Sequence, residues 1–392
     1  MAGEAEAWDR FCETLRRAQQ LVLGEGIAGA PADRAEGLRY LTRFLAAGIN
    51  LCVEHADPDH PELCRMMDRG ITWGLDCPDC LYLYASVRGD AAYRIWGTRG
   101  SANHLDVQVN HGHFASGDIA AWGTIASLSG LELESAPDGS FELFLGGQRR
   151  PRNWLPLAPN AEFVLLRQYF DDWEAERPAD LQIERLGAPV PVPPPRSDQM
   201  AARLARLCEW LEKGGALWQR MSRGLLEGPP NSLQVFRPPD DDAKGGLRGQ
   251  AYGMGGFRCE PDEALVVEFA PPACRHWSVS LASWCWESID FATRQTSLNG
   301  HQARLDADGV FRAVVAHQDP GVPNWLDTAG HRQGTLAARF LLAAAAPEVR
   351  FRVVALPDVR SVLPADTPRV APQERAASLA RRRRAALARY RR

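Results

Sequence analysis

The sequence predicts a mainly β fold with helical additions (α+β): two tandem jelly-roll or β-sandwich units and an N-terminal helical layer. Three observations carry the prediction. Short apolar runs punctuated by Gly and Pro fill residues 70–186 and recur across 228–364. A stiff proline-rich stretch, Gly187–Arg196, stands between them. Matching landmarks follow one another in the same order on both sides of it, the mark of a duplicated unit.

The helical layer, residues 1–69, begins with Trp8, Phe11, Leu15, Ala18 and Val22 at helical spacing, up to Gly24. Asp33, with Glu36 three positions on, is a capping-box pattern. It opens a helix whose apolar face runs through Leu38, Leu41, Leu45, Ile49 and Val53. A shorter helix is expected over 62–68. The first β unit, 70–186, holds expected strands at 81–87, 92–96, 104–110, 141–145 and 163–166. After the linker at 187–196 comes a helical insert, 197–227, marked by Met200, Leu204, Leu207 and Leu211. It is broken at Gly214-Gly215 and resumes through Leu217, Met221 and Leu225. The second β unit, 228–364, starts as a loop over 229–249 and a loose Gly253-Met-Gly-Gly256 turn. Its strands are expected at 265–269, 277–282, 311–315 and 351–355. A basic helical tail, 365–392, follows.

The chain of 392 residues is 45% hydrophobic and 24% charged, which excludes a disordered or collagen-like polypeptide. Its net charge of −4 is uneven. Residues 373–392 hold eight Arg and one acid, which leaves 37 basic against 48 acidic residues elsewhere. An acidic body argues against nucleic acid as the main substrate. The tail is expected to be a solvated, mobile terminus, with an anionic membrane surface or a second subunit of a homo-oligomer as alternative partners. The sequence opens without a basic and apolar leader, and no apolar run approaches the roughly 18 residues that span a bilayer, so a cytoplasmic location is expected. Nine scattered Cys do not make a disulfide framework. Cys77 and Cys80 read as small buried apolar residues rather than half a zinc site. The phosphate loop and the serine nucleophile elbow are both missing.

The landmarks of the duplication are specific. Cys77-Pro-Asp79 precedes Leu81–Tyr84, and Cys259-Glu-Pro-Asp262 precedes Leu265–Phe269. Tyr93 and Asp106 are thirteen positions apart, as are Trp277 and Asp290. Asp138-Gly-Ser-Phe141 answers Asp308-Gly-Val-Phe311, Asn153-Trp-Leu155 answers Asn324-Trp-Leu326, and Arg167 answers Arg339. The run Pro78-Asp-Cys-Leu-Tyr82 and the segment 308–334, with Asn324-Trp-Leu-Asp-Thr-Ala-Gly-His331, resemble the bacterial families named domain of unknown function 1254 and 1214. The second half, roughly 250–364, is similar to the 1214 type. The first half resembles the 1254 type more loosely, with Cys80 where that family more often has Thr. The resemblance implies a double jelly-roll fold with helical additions and no assigned activity.

Duplication also acts as a filter, because residues present in both halves are expected to be structural and residues private to one half functional. Asn153/Asn324, Trp154/Trp325, Arg167/Arg339 and Asp106/Asp290 fall in the shared class. Asp327 and His331 are private to the second half, where the first reads Pro156–Asn160. A carboxylate and an imidazole four apart beside Gly330 suit an acid–base pair. Asn324 and Trp325 precede them as candidate substrate contacts. In the first half, Asp106 and the Asp-Gly turn are 32 positions apart, against 18 from Asp290 to its turn. The extra length brings His111, His113 and Asp118. Alternation in His104–Val109 places His104, Asp106 and Gln108 on one strand face. A solvated polar strand face is the default expectation there, with His104, Asp106, His111 and His113 as candidate ligands for a divalent metal in the alternative. Trp284 and Trp286, sharing a face with Asp290 and next to Glu287, suit a sugar or a flat ligand between two acids.

The function expected from these residues is an enzyme of hydrolase or lyase type on a small organic or carbohydrate-like substrate. Asp327, His331, Glu287 and Asp290 would handle protons, and Trp284, Trp286, Asn324 and Trp325 would hold substrate. The sequence identifies no cofactor. Metal at the histidines would instead make an oxygenase of the non-haem iron type, and the third reading is a non-catalytic ligand-binding or assembly protein.

Overall fold

The first β unit is two sheets packed face to face. β1 (Cys64–Met67), β2 (Cys80–Ser86), β3 (Tyr93–Thr98), β4 (His104–His111), β5 (Gly123–Ser129), β6 (Ser140–Leu145), β7 (Trp154–Leu155), β8 (Ala161–Tyr169) and β9 (Asp180–Arg185) follow in the chain. They form a five-stranded sheet, β1-β2-β8-β4-β5, and a four-stranded sheet, β7-β6-β3-β9. The second unit contains β10 (Gln234–Phe236), β11 (Gln250–Arg258), β12 (Glu263–Phe269), β13 (His276–Ala282), β14 (Ser297–Asn299), β15 (Phe311–Ala316), β16 (Trp325–Asp327), β17 (Gln333–Leu341) and β18 (Arg350–Ala355). Its sheets run β10-β11-β17-β13-β14 and β16-β15-β12-β18, the same connectivity strand for strand. Even the one parallel pair recurs, β6 with β7 and β15 with β16. The unit is duplicated. These are the structures of residues 2–24, 31–238 and 246–391, as described by a computed structural model.

Alternation fixes which faces meet. On β4, Leu105, Val107 and Val109 turn into the sandwich with Ile95, Leu143 and Leu166, each such burial worth roughly 1.5–3 kcal/mol. On β17, Leu336, Ala338 and Phe340 do the same in the second unit, against Leu265, Val315 and Phe311. The opposite faces of the five-stranded sheets meet a third core, shared with the helices. His104, Asp106, Gln108 and Asn110 lie on that opposite face and are all buried, so the expected solvated strand face is corrected.

Register also corrects three of the sequence matches. Arg167 pairs with Tyr82 on β2 and Asp106 on β4, while Arg339 pairs with Tyr252 on β11 and Ser278 on β13. The counterpart of Asp106 is therefore Ser278, not Asp290. Cys77-Pro-Asp79 precedes β2, but Cys259-Glu-Pro-Asp262 precedes β12, the counterpart of β3. Tyr93 on β3 and Trp277 on β13 are not equivalent either. The β4–β5 connection carrying His113 has its counterpart in the β13–β14 connection, so it is not private to the first half. The Asp-Gly turns, the Asn-Trp-Leu runs and the two arginines occupy equivalent places.

Helices α1 (Ala2–Ala18), α2 (Gln20–Leu23) and α3 (Pro31–Ile49) precede the first unit, and α4 (Ser197–Glu209) and α5 (Gly215–Glu227) precede the second. They pack together through Phe44 and Trp210, whose rings stack at 4.7 Å, with Trp210 Nε1 donating to the Phe44 carbonyl at 2.8 Å. The expected helix at 62–68 is instead strand β1, because pairing with the exposed edge of β2 outweighs the helix propensity of its residues. Gly214-Gly215 does not break the insert, since a π-helical turn over Trp210–Gly214 carries the chain through. The Gly253–Gly256 turn is the middle of β11, paired along its length with β17. Gly255 is required there: a Cβ would lie 1.8 Å from the Ser232 carbonyl oxygen.

Short α6 (Val359–Val362) leads to α7 (Pro372–Arg389), the basic tail. It is docked, not mobile. Arg389 donates to the Pro78 carbonyl and lies over the Trp173 ring, and Arg382 donates to the Phe291 carbonyl and to Ser297 at 2.6 Å. One helix thus spans both units, as does Asp79, which accepts from Trp173 at 2.8 Å and from Asn299 at 2.7 Å. Among the described residues no helix is long and apolar enough to cross a membrane.

Candidate functional site

Where the outer faces of the two five-stranded sheets approach each other they leave a cavity of about 490 Å³. This volume falls in the roughly 300–1,000 Å³ range of small-molecule sites. Strands β1, β2 and β8 supply one side, β10, β11 and β17 the other, and α5 closes it with Trp218 and Met221. Its walls are aromatic. Phe114 and Trp122 meet edge to face at 4.5 Å, Trp122 reaches Trp218 at 5.6 Å, and Trp218 reaches Trp286 at 5.7 Å. Phe114 and Trp122 come from the β4–β5 connection and Trp286 from its counterpart, so the duplicated loops both furnish the cavity.

The polar groups obey the same pseudo-symmetry. Tyr82 stands opposite Arg167 and Tyr252 opposite Arg339, and all four line the cavity. Burial raises the Tyr82, Tyr169 and Tyr252 hydroxyls above the ordinary phenol range, so they are neutral near pH 7. Tyr169 donates to Gln250 Oε1 at 2.8 Å, and the Tyr252 oxygen accepts the Leu247 N–H at 2.7 Å.

The two arginines are provided for differently. Arg167 donates to Gln108 Oε1 at 2.6 Å and stands in register with the Asp106 carboxyl. Around Arg339 the corresponding β13 positions are Ser278 and Ser280. Arg339 instead donates through Nη2 to the Leu75 carbonyl at 2.5 Å. Its Nη1 finds no acceptor among the described residues, and neither do the indole N–H groups of Trp122, Trp218 and Trp286. The carboxyl whose charge Arg339 feels, Asp76, is raised by its burial and accepts the Ser288 N–H at 2.8 Å. A buried guanidinium with an unmet donor is costly unless something supplies an acceptor.

Backbone strain gathers at the same place. Leu75 and Trp286 both adopt left-handed φ, at 56° and 63°, and the Leu75 N–H donates to the Trp286 carbonyl at 2.7 Å. For non-glycine residues this conformation costs on the order of 1–3 kcal/mol each. Among the described lining residues there is no carboxylate, imidazole or thiol.

The residues nominated from sequence lie elsewhere, with Trp286 the exception. Asp327 and His331 are both buried and no bond joins them. Asp327 pairs with Arg294 at 2.7 Å and accepts the Ala329 N–H at 2.8 Å. His331 holds Glu36 of α3 at 2.9 Å, with Asp33 at 3.7 Å. Burial opposes the His331 charge, but the Glu36 hydrogen bond and the two acids outweigh it and raise its pKa. Asn324 clamps a loop, donating to the Arg304 carbonyl at 2.6 Å and accepting the Arg304 N–H at 2.9 Å. Asn153 does the same for Glu134, so Asn324 is scaffold in both copies. Trp325 likewise donates to the Ala316 carbonyl, as Trp154 does to that of Gly146.

Trp284 and Trp286 do not share a strand face. β13 ends at Ala282, and the turn sends Trp286 into the cavity while Trp284 packs on Gly37 of α3. Glu287 and Asp290 line a second, polar cleft of about 220 Å³. The histidines do not assemble with Asp106 as a metal set. His113 sits among Tyr84, Phe114 and Phe163 with Nδ1 accepting the Ala115 N–H, and burial drops its pKa to about 3. Burial, with Arg275, Arg99 and His276, lowers His104 to about 4. Among the described residues no three His, Cys, Asp or Glu come together as metal ligands. Cys77 and Cys80 are buried free thiols.

The profile described as "Protein of unknown function (DUF1214)" matches residues 107–171 and 258–345. An uncharacterized protein from Burkholderia cenocepacia, of solved structure, is 33% identical, with 90% of this chain and 98% of that chain covered and a TM-score of 0.85. The chain belongs to the DUF1214 family. A second solved structure, the VPA0106 protein from Vibrio parahaemolyticus, is 13% identical over 80% of this chain and 97% of that one, with a TM-score of 0.46. No curated protein matches the chain.

In this DUF1214 protein the residues that sequence reasoning missed are Tyr82, Tyr169, Tyr252, Trp73, Trp122 and Trp218, and it set Arg167 and Arg339 aside as scaffold. A signal was there. Arg167 directly follows the apolar run Phe163–Leu166 and Arg339 interrupts the apolar run Leu336–Leu341, and a charge in a buried strand calls for a partner.

Proposed function

We propose that this DUF1214 protein binds a small, largely aromatic or aliphatic organic acid in the cavity between its two β units. Arg339 would meet the acidic group and the tryptophans the apolar body. The observation that carries the reading is the unmet Nη1 donor of buried Arg339 beside three unmet indole N–H groups in an aromatic cavity. All four are donors, so the complement is a ligand rich in acceptors. The geometry gives little support to a hydrolase or lyase built on Asp327 and His331, because each is committed to another partner. It gives as little to an oxygenase at His104 and Asp106, whose surroundings offer no third ligand among the described residues.

Naphthalene-2-carboxylate and its neutral carboxamide, titrated by tryptophan fluorescence, test the reading. The acid should bind at least about 10-fold more tightly than the amide, a difference of about 1.4 kcal/mol. Arg339→Gln should erase that difference. Equal affinity for acid and amide in the wild-type protein would overturn the assignment. Should Arg339→Gln fail to fold, Met254→Trp, which fills the cavity, should abolish binding of both probes, and retained binding would count against the site.

A further inference from the structure

The loop Ser283–Ser288 is a wall with two sides. Trp286 lines the central cavity, while Ser283, Glu287 and Ser288 line the polar cleft of about 220 Å³. Three elements converge on that cleft: α3 with Glu36, Arg39 and Arg43, the segment bearing Arg69 and Thr72, and the stretch from Ser283 to Arg294. Four guanidinium groups and three carboxylates therefore face one small volume.

Pairing among them is incomplete in one direction only. Glu287 is taken by Arg43 at 2.9 Å and by the Thr72 hydroxyl. Glu36 is taken by His331. Asp290 accepts the N–H groups of Ala292 and Thr293 and the Thr293 hydroxyl at 2.5 Å. Arg294 is held by Asp327. Arg39 and Arg69 remain, from different elements, with no hydrogen bond or ion pair among the described residues. A cation entering the cleft would find every carboxylate engaged, whereas an anion would find two guanidinium groups that feel Glu36 and Asp290 at longer range but spend no N–H on them, each able to present paired donors.

We propose that this cleft is a second binding site, specific for a small multivalent oxyanion such as a phosphate ester or a polycarboxylate, with Arg39 and Arg69 as its principal contacts. The site is independent of the central cavity and of the ligand proposed there. Its volume admits a small phosphorylated or polycarboxylate metabolite but not a macromolecular chain. Arg43 and Thr72, fixed by Glu287, form a rigid polar floor rather than competing donors.

Isothermal titration with inorganic phosphate and, separately, with citrate tests the proposal on the full chain. Saturable one-to-one binding by at least one of the two, weakened at least 10-fold in Arg39→Gln or Arg69→Gln, is the expected result. Phosphate alone would mark a phosphoryl site and citrate alone a polycarboxylate site. Neither substitution removes a hydrogen bond or an ion pair, only the longer-range attraction of Arg39 for Glu36 and of Arg69 for Asp290, so each should move the melting temperature little and a folding defect is not expected to obscure the result. No saturable heat at millimolar concentrations of either anion, or unchanged affinity in both variants, would overturn the proposal.

Discussion

Arg167 and Arg339 occupy equivalent positions on equivalent strands, each opposite a tyrosine, and each is buried. The first unit surrounds its arginine with Gln108 and Asp106, and the second offers Ser280 and Ser278 at the same places. Among the described residues a side-chain amide reaches the first guanidinium and backbone carbonyls alone reach the second. The difference teaches that a duplicated fold need not place its function in residues private to one copy. Here the copies face each other, the cavity lies on their pseudo-symmetry, and divergence in the neighbours of a shared residue leaves one arginine with an unmet donor among the described residues.

The largest effect should come from Asp106, the acid that only the first unit carries. Burial, opposed by Arg167, pushes its pKa up to about 7. A carboxyl with a raised folded-state pKa is stable in the neutral form, and the fold loses stability as pH climbs from the unfolded value, about 3.9, through 7. The loss amounts to about 4 kcal/mol at pH 8. Asp106→Asn should flatten that slope, so in denaturant unfolding the difference between the two proteins should grow by about 3 kcal/mol from pH 5 to pH 8. Parallel slopes would show that Asp106 is charged and paired with Arg167, and the contrast between the two surroundings would sharpen.

A middle-sized effect should separate the arginines themselves. Arg167→Met leaves the buried Gln108 oxygen without its donor and should cost about 2 kcal/mol. Arg339→Met removes a buried charge whose Nη1 has no acceptor and should shift stability by only about 1 kcal/mol. Equal losses in urea titrations would break the comparison, because Arg339 would then be as fully supported as Arg167.

The smallest effect concerns the loop that sequence favoured. His331→Ala should cost about 1 kcal/mol, through the lost Glu36 pair, without altering ligand affinity. The raised His331 pKa makes its contribution complete below about 6.5 and lost as pH rises through the higher folded value. The lowered Glu36 pKa makes its contribution complete above about 4.3 and lost as pH falls further. The deficit of the variant should therefore peak between those limits and fade on either side.

Much of the fold was legible because alternation and punctuation are local: β4, β6 and β15 follow directly from their residues. β1 was read as a helix because its identity comes from the edge it pairs with, and β11 was read partly as a turn because its glycines answer to the neighbouring backbone at Ser232. The duplication was legible in the Asn-Trp-Leu runs, whose clamp is built within each copy. It was misaligned at Cys77 and Asp106, where register depends on strands far apart in sequence. The cavity was not legible, since no local pattern reveals that Tyr82 and Tyr252 face a common space.

The most direct test of the central claim is a crystal structure of the protein grown with naphthalene-2-carboxylate. The account predicts the carboxylate within hydrogen-bond distance of Arg339 Nη1 and the ring among Trp122, Trp218 and Trp286. A ligand seated against Asp327 and His331, or a cavity that stays empty while the compound binds elsewhere, would contradict it.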